Sequence, residues 1–301
     1  MAGERLHDGE TVADEDLVRR LLVDQHPGLA DWPVRRVAST GTEHAVFRLG
    51  GDLVVRMPRL ERAQRQVAAE STLLPMLVGQ LPIEVPMPVA VGEPGLGYPY
   101  RWLVSRWVTG RDLLALITEG HDVDWLQFAV DLAAFLRALQ AVDGPGAPPA
   151  GRRGQDLAPH DEVVRGCVEE LADEIDGDAA LAVWRAGMDA APWPGPPVWV
   201  HGDLLPGNVV LGVDGRLVSV IDWASAGVGD PACELMVAWS LPPEARARLR
   251  SELDVDDDTW VRARAWVVEQ AVLFIPYYRR AIPAAVAVNR ARLDAVLADR
   301  P

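Results

Sequence analysis

This chain of 301 residues contains no lysine; every basic side chain other than histidine is arginine. A Walker A loop needs Lys beside Ser or Thr, so a P-loop nucleotidase is excluded. Schiff-base chemistry on a lysine amine is excluded with it. Cysteine is nearly absent: Cys167 and Cys233 allow at most one disulfide and no Cys-rich zinc site. Both sit in apolar helical stretches, which predicts two buried free thiols. No apolar run is long enough to span a bilayer. Residues 1–16 are rich in Asp and Glu and lack a basic patch followed by an apolar stretch, so no signal peptide is expected and a cytoplasmic location is. The formal charge is −15, from 44 acidic and 29 basic residues. Such a chain repels phosphate backbones and anionic lipid, so neither nucleic acid nor membrane is an expected partner. A cationic small molecule would be attracted, although acidity also serves solubility alone.

What remains is an ordinary globular composition, 49% hydrophobic and 24% charged. Residues 14–25 predict a helix, with Leu17, Leu21 and Leu22 on one face. Residues 34–38, 44–49 and 53–57 predict an antiparallel meander, with turns at 39–42 and at Gly50-Gly51. A helix over 62–77, a proline-broken edge strand over 85–91 and a stronger strand over 100–108 follow. The rest is mainly helical: 124–142, 159–175, 234–240, 258–278 and 283–298, with a Pro/Gly-rich loop over 144–154 and short strands over 198–222. Strands first and helices afterwards predict an α+β protein with two unlike lobes. The expected division is an N-terminal nucleotide-binding lobe over 1–104, a hinge over 105–110, and a C-terminal lobe over 111–301.

The chemistry-bearing segment is His201-Gly202-Asp203-Leu204-Leu205-Pro206-Gly207-Asn208, flanked by apolar Val198–Val200 and Val209–Leu211. Further on, apolar Leu217–Ile221 ends at Asp222. Phosphoryl transfer calls for these residue types. Divalent metal takes hard oxygen ligands, which Asn and Asp supply. A separate carboxylate must orient the acceptor hydroxyl and take its proton. The order His-x-Asp-x-x-x-x-Asn, then a strand ending in Asp, matches the protein-kinase catalytic loop and metal-binding Asp. The bland alternative is an Asp and an Asn capping turns.

At these residues the chain resembles the aminoglycoside phosphotransferase family of antibiotic kinases, macrolide phosphotransferases included. The matching segments are His201-Gly202-Asp203, Asn208, Ile221-Asp222-Trp223, Gly229-Asp230-Pro231 and Glu234-Leu235. The resemblance implies a protein-kinase-like bilobal fold with a small antiparallel-sheet N-lobe and a larger, mainly helical C-lobe. It implies Asp203 as the catalytic base, Asn208 and Asp222 as Mg²⁺ ligands, and His201 as a structural ring. Asp230 would brace the loop, or simply cap a helix. The implied donor is ATP or GTP. The family usually places Lys on its third strand; here Arg56 occupies that place, and arginine can grip phosphate bidentately. Its implied partner is Glu70. A strand-end surface cation is the competing reading for Arg56, and a solvated helical face for Glu70. Thr40, in the turn between the first two strands, would contact phosphate. Ser105 and Trp107 are assigned to adenine by position alone, and a core aromatic is an equal reading of Trp107.

The expected partner is a small-molecule acceptor, in the first instance an antibiotic of aminoglycoside type. Macrolides, peptide antibiotics and metabolites such as choline or homoserine are alternatives, as is an inactive nucleotide-binding module. Asp156, Asp161, Glu162, Glu234, Glu269, Tyr277 and Tyr278 are acceptor-side candidates, each with helix packing or solvation as its competing reading. No Gly-x-Ser-x-Gly elbow occurs, which disfavours a hydrolase.

Overall fold

A computed structural model describes residues 9–37, 43–144 and 146–299. The chain divides into two compact units. The first comprises residues 1–79, 84–109 and 219–224; the second comprises 80–83, 110–218 and 225–301. The elements are those of an α+β protein, a five-stranded antiparallel sheet in one unit and a mainly helical assembly in the other.

In the first unit, α1 (Glu15–Gln25) is capped by Asp14, whose carboxylate accepts the Leu17 N–H at 2.8 Å. The strands are β1 (Val34–Arg36), β2 (His44–Leu49), β3 (Leu53–Pro58), β4 (Pro88–Gly92) and β5 (Trp102–Arg106); α2 (Gln64–Leu77) joins β3 to β4. Their order is β1-β2-β3-β5-β4. The proline-broken strand is thus an edge strand, where a missing N–H costs no ladder bond. Side chains alternate across a strand. Leu53, Val55 and Met57 therefore join Phe47, Leu49, Val18, Leu21, Leu22 and Trp102 in one core. Arg56, one step out of phase with these residues, points to the opposite face of β3.

The second unit holds β6 (Arg111–Asp112), α3 (Leu113–Thr118), α4 (Trp125–Gln140), α5 (Asp161–Glu170), α6 (Gly177–Asp189), β7 (Val198–Val200) and β8 (Val209–Leu211). It continues with β9 (Leu217–Val220), whose last two residues count with the first unit, and then β10 (Gly227–Gly229), α7 (Pro243–Leu253), α8 (Asp257–Tyr278) and α9 (Pro283–Ala298). Helix α8 is the axis of this unit. Ala263, Ala265, Trp266, Val267, Val268, Ala271, Val272 and Ile275 are all fully buried on it. Burial on every face is what a central helix shows, in contrast to the single apolar stripe of a surface helix.

Three expectations are corrected. Residues 159–175 hold only the shorter α5, because the chain turns at Leu171 before α6. Residues 231–240 form successive 3₁₀ turns, not an α-helix. Helices α3, α6 and α7 were not foreseen. Cys233 is buried and Cys167 partly so, and both are free thiols. No helix among the described residues is long and apolar enough to cross a membrane.

Candidate active site

The residues of the first unit expected on the nucleotide side centre on β3 and α2. Buried positions of α2 are Val67, Glu70, Leu73, Leu74 and Leu77, so a carboxylate stands in an apolar helical stripe. A buried charge requires a partner. Glu70 finds it in Arg56, whose Nη2 donates to Oε2. Burial pulls the Arg56 guanidinium below its ordinary value, and the nearby charge of Asp222 opposes that pull. Arg56 therefore lies in the field of two carboxylates, the competing surface-cation reading does not describe it, and Glu70 is not a solvated helix position. His44, also buried, is held neutral down to about 3, by burial first and by the Arg56 charge second.

Asp222 adopts φ 67°, a left-handed conformation uncommon for a non-glycine residue and most often occupied by Asp and Asn. Such backbone clusters where geometry is imposed by function. Ser105, on β5 opposite Val54, is buried, and its Oγ has no hydrogen-bond partner among the described residues. The Trp107 N–H donates to Asp52 O at 2.8 Å, and Arg48 lies 4.0 Å over its ring centroid. Its backbone N–H is thus spent within the protein. Thr40 lies outside the described residues.

In the second unit the catalytic-loop segment follows β7, which pairs antiparallel with β10. Glu234 fixes the turn from behind. Fully buried, it accepts the His201 and Gly202 N–H groups, each at 2.9 Å. Burial pushes its carboxyl up to about 7, although these two bonds favour the charged form. Gly202 is obligatory here: at φ +77° an added Cβ would lie 2.7 Å from Ser225 O. The buried His201 ring accepts the Asp203 N–H at Nδ1, 3.3 Å away, which suits an imidazole that shapes the loop. Asn208 donates from Nδ2 to Asp203 O at 2.9 Å and to Oδ2 at 3.3 Å. With its amide nitrogen so occupied, its carbonyl oxygen is the atom left for a cation. Asp230 is the cap expected of it, Oδ1 accepting the Ala232 N–H at 2.9 Å, and its Oδ2 pairs with Arg262 of α8 at 2.7 Å.

One neighbour of Asp203 was not foreseen. Arg153 Nη1 donates to Asp203 Oδ1 at 2.6 Å, while its Nε donates to Glu269 Oε2 at 3.1 Å. Arg152 reaches Glu269 Oε1 at 2.7 Å. Burial alone would raise the Glu269 carboxyl; the charges of Arg153 and Arg152 outweigh it and hold it at about 2. Arg153 lies in the Pro/Gly-rich stretch, whose composition marks a loop and nothing more. The other acceptor-side candidates divide. Asp161 binds Arg165 and the Trp184 indole N–H, each at 2.8 Å. Asp156 accepts the Ala158 N–H at 3.2 Å. Glu162 and Tyr277 are exposed.

No cluster of three or more His, Cys, Asp or Glu among the described residues could hold a metal. Magnesium does not need one: it binds through one or two protein oxygens together with substrate phosphates. The side chains of Asn208 and Asp222 carry oxygens of the hard type that magnesium takes.

The sequence pattern of the phosphotransferase enzyme family matches residues 34–266. The chain belongs to that family. The aminoglycoside 3'-phosphotransferase of Escherichia coli is 29% identical over 237 residues, which cover 74% of this chain and 81% of that one. The uncharacterized protein YcbJ of Bacillus subtilis is 25% identical over 200 residues, and the match spans 61% of each chain. Among solved structures, an aminoglycoside phosphotransferase in complex with GDP and kanamycin superposes with TM-score 0.68 at 18% identity, covering 93% of this chain and 97% of that one. The macrolide 2'-phosphotransferase of Brachybacterium faecium gives 0.62 at 23%, covering 96% and 99%. At such identities the likeness is one of fold, the protein-kinase-like fold of this phosphotransferase family.

Proposed function

We propose that the chain is an ATP-dependent kinase that moves the γ-phosphoryl group to a hydroxyl of a small molecule. The observation that carries this reading is the joining of Asp203 to Asn208, through both backbone and side chain, on a turn held by buried Glu234. Asp203 orients the acceptor hydroxyl and takes its proton. Asn208 and Asp222 hold Mg²⁺. When bound, the metal neutralises charge on the transferring phosphates. Arg56, kept in place by Glu70, grips the phosphates in the role lysine has elsewhere. Thr40, Ser105 and Trp107 complete the nucleotide side by position. The use of a nucleotide is supported by relatives solved with GDP and ADP.

Aminoglycosides are the first acceptors to try, since relatives are named for them. A second reading, an acceptor with few positive charges such as a macrolide, is favoured by one observation. Glu234 and Glu269, carboxylates that a polyamine could use, are both already bonded to the protein's own groups. The test is ATP turnover by wild type and Asp203→Ala. Loss of general-base help should cost about 10²–10⁴-fold in kcat. Equal rates would contradict the proposal.

A further inference from the structure

The acceptor side of the base is built around arginine in a chain of net charge −15. Arg153 is placed firmly. Its segment is hydrogen-bonded to the stretch around β10: Ala150 N–H to Val228 O, Gly151 N–H to Ser225 O, and Asp230 N–H to Gly154 O, each at 2.9 Å. The approach is so close that a Cβ on Gly229 would lie 2.2 Å from Gly154 O, and one on Gly227 2.6 Å from Ala150 N. A residue in such a frame is not a swinging surface arginine. The guanidinium of Arg153 then spans two carboxylates, Asp203 at 2.6 Å and Glu269 at 3.1 Å. Arg152 takes the remaining Glu269 oxygen at 2.7 Å, and its Nε donates to His160 Nδ1 at 2.9 Å.

Charge matching follows. Asp203 and Glu269 are answered by Arg153 and Arg152. Glu234 is turned toward backbone N–H groups, and burial favours its neutral form. A third cation, buried Arg292, lies in the field of both Arg153 and Asp203. Its hydrogen bonds go to neutral acceptors: Gln270 Oε1 at 2.8 Å, Asn289 Oδ1 at 3.1 Å and Met236 O at 3.0 Å. An ammonium brought beside the reacting hydroxyl would meet the Arg153 charge across Asp203, with both neighbouring carboxylates committed. An ether, hydroxyl or carbonyl oxygen there could instead accept from the remaining guanidinium N–H groups, since arginine has five donors.

We propose that Arg153 is a specificity determinant that turns this enzyme away from polycationic acceptors and toward uncharged, oxygen-rich alcohols such as sugars and polyols. The inference rests on the phosphotransferase reading above and decides between its two acceptor classes. Like charges placed face to face disfavour a wrong partner strongly, so an effect of about tenfold or more in relative kcat/KM is expected.

The experiment compares kanamycin with its fully N-acetylated derivative, which offers the same hydroxyls without the charges. Wild type, Arg153→Gln and Arg153→Lys are assayed with ATP and Mg²⁺. The double variant Arg153→Gln/Glu269→Gln is added so that no buried carboxylate is left unmatched. The readout is the ratio of kcat/KM for kanamycin to that for the acetylated sugar, in which steric effects of acetylation cancel between variants. The expected result is a ratio about tenfold or more higher in Arg153→Gln and in the double variant, and close to wild type in Arg153→Lys. An unchanged ratio in folded Arg153→Gln or double variant overturns the inference. So does transfer by wild type to kanamycin alone, or transfer to neither while Asp203-dependent ATP hydrolysis persists. If instead wild type and Asp203→Ala are equally inert toward both sugars and water, the phosphotransferase reading fails and takes this inference with it.

Discussion

At the scale of single residues, the structure makes opposite demands on two buried glutamates. The Glu234 carboxyl titrates at about 7 instead of its ordinary 4.5, because burial opposes its charge. Protonation is therefore easier in the folded state. The stability it contributes is fully present below pH 4.5 and is lost as pH rises through 7. Glu269, held at about 2, has the reverse sign: its contribution is present above 4.5 and lost as pH falls through 2. Urea unfolding of wild type and Glu234→Gln at pH 5 and pH 8 checks this. The stability difference between the two should move in favour of the variant as pH rises, and a difference independent of pH would contradict it. Arg56→Ala is predicted to weaken ATP binding, with each lost charge-assisted bond worth about 1.5–3 kcal/mol, and to destabilise the fold by leaving Glu70 buried and unpaired. Calorimetric titration with ATP on the folded variant measures the first effect; unchanged affinity would remove Arg56 from the nucleotide site. The sequence singles out Asp203, Asn208 and Asp222 as polar residues beside apolar stretches, and the structure joins the first two by hydrogen bonds. Arg153 was not legible. Its position comes from backbone bonds to the segment around β10, across a separation that no local pattern records.

At the scale of elements, long periodic helices such as α4 and α8 were evident, and their boundaries fall close to those expected. Helix α6 was missed because glycines at 177 and 187 and a run of alanines dilute its apolar stripe. The structure gives Gly187 a reason. A Cβ there would lie 2.3 Å from Ala265 Cβ, so the glycine lets α6 approach α8. Gly166, in α5, meets nothing within 4 Å. Substituting alanine should therefore act with opposite signs. Gly187→Ala should cost about 1–3 kcal/mol through overpacking. Gly166→Ala should gain about 0.5–1 kcal/mol from a less entropic unfolded chain. Chemical denaturation of the two variants reads the contrast, and a shift of the same sign in both would refute the packing argument. The 3₁₀ run over 231–240 escaped prediction for another reason: nine of its residues, Pro231 to Trp239, are buried, so no amphipathic face exists to read.

At the scale of the whole molecule, strands early and helices late sufficed to anticipate an α+β architecture, and the two compact units depart from chain order at two segments, residues 80–83 and 219–224. Residues 219–224, carrying Asp222, count with the first unit although the chain reaches them from β8 and β9 of the second. Contact partition of that kind cannot be inferred from chain order. The acidity of the chain is not mirrored around Asp203. A charge of −15 suggests attraction of cations, yet Asp203 and Glu269 are each already paired with arginine. The central claim remains phosphoryl transfer governed by Asp203. Its most direct measurement is incubation of wild type and Asp203→Ala with ATP, Mg²⁺ and a panel of aminoglycosides, macrolides and uncharged sugars, each product weighed by mass spectrometry. The account predicts at least one acceptor gaining a single phosphate with wild type, at a rate about 10²-fold or more above the variant. Phosphorylation at equal rates by both proteins, or of no acceptor by either, would contradict it.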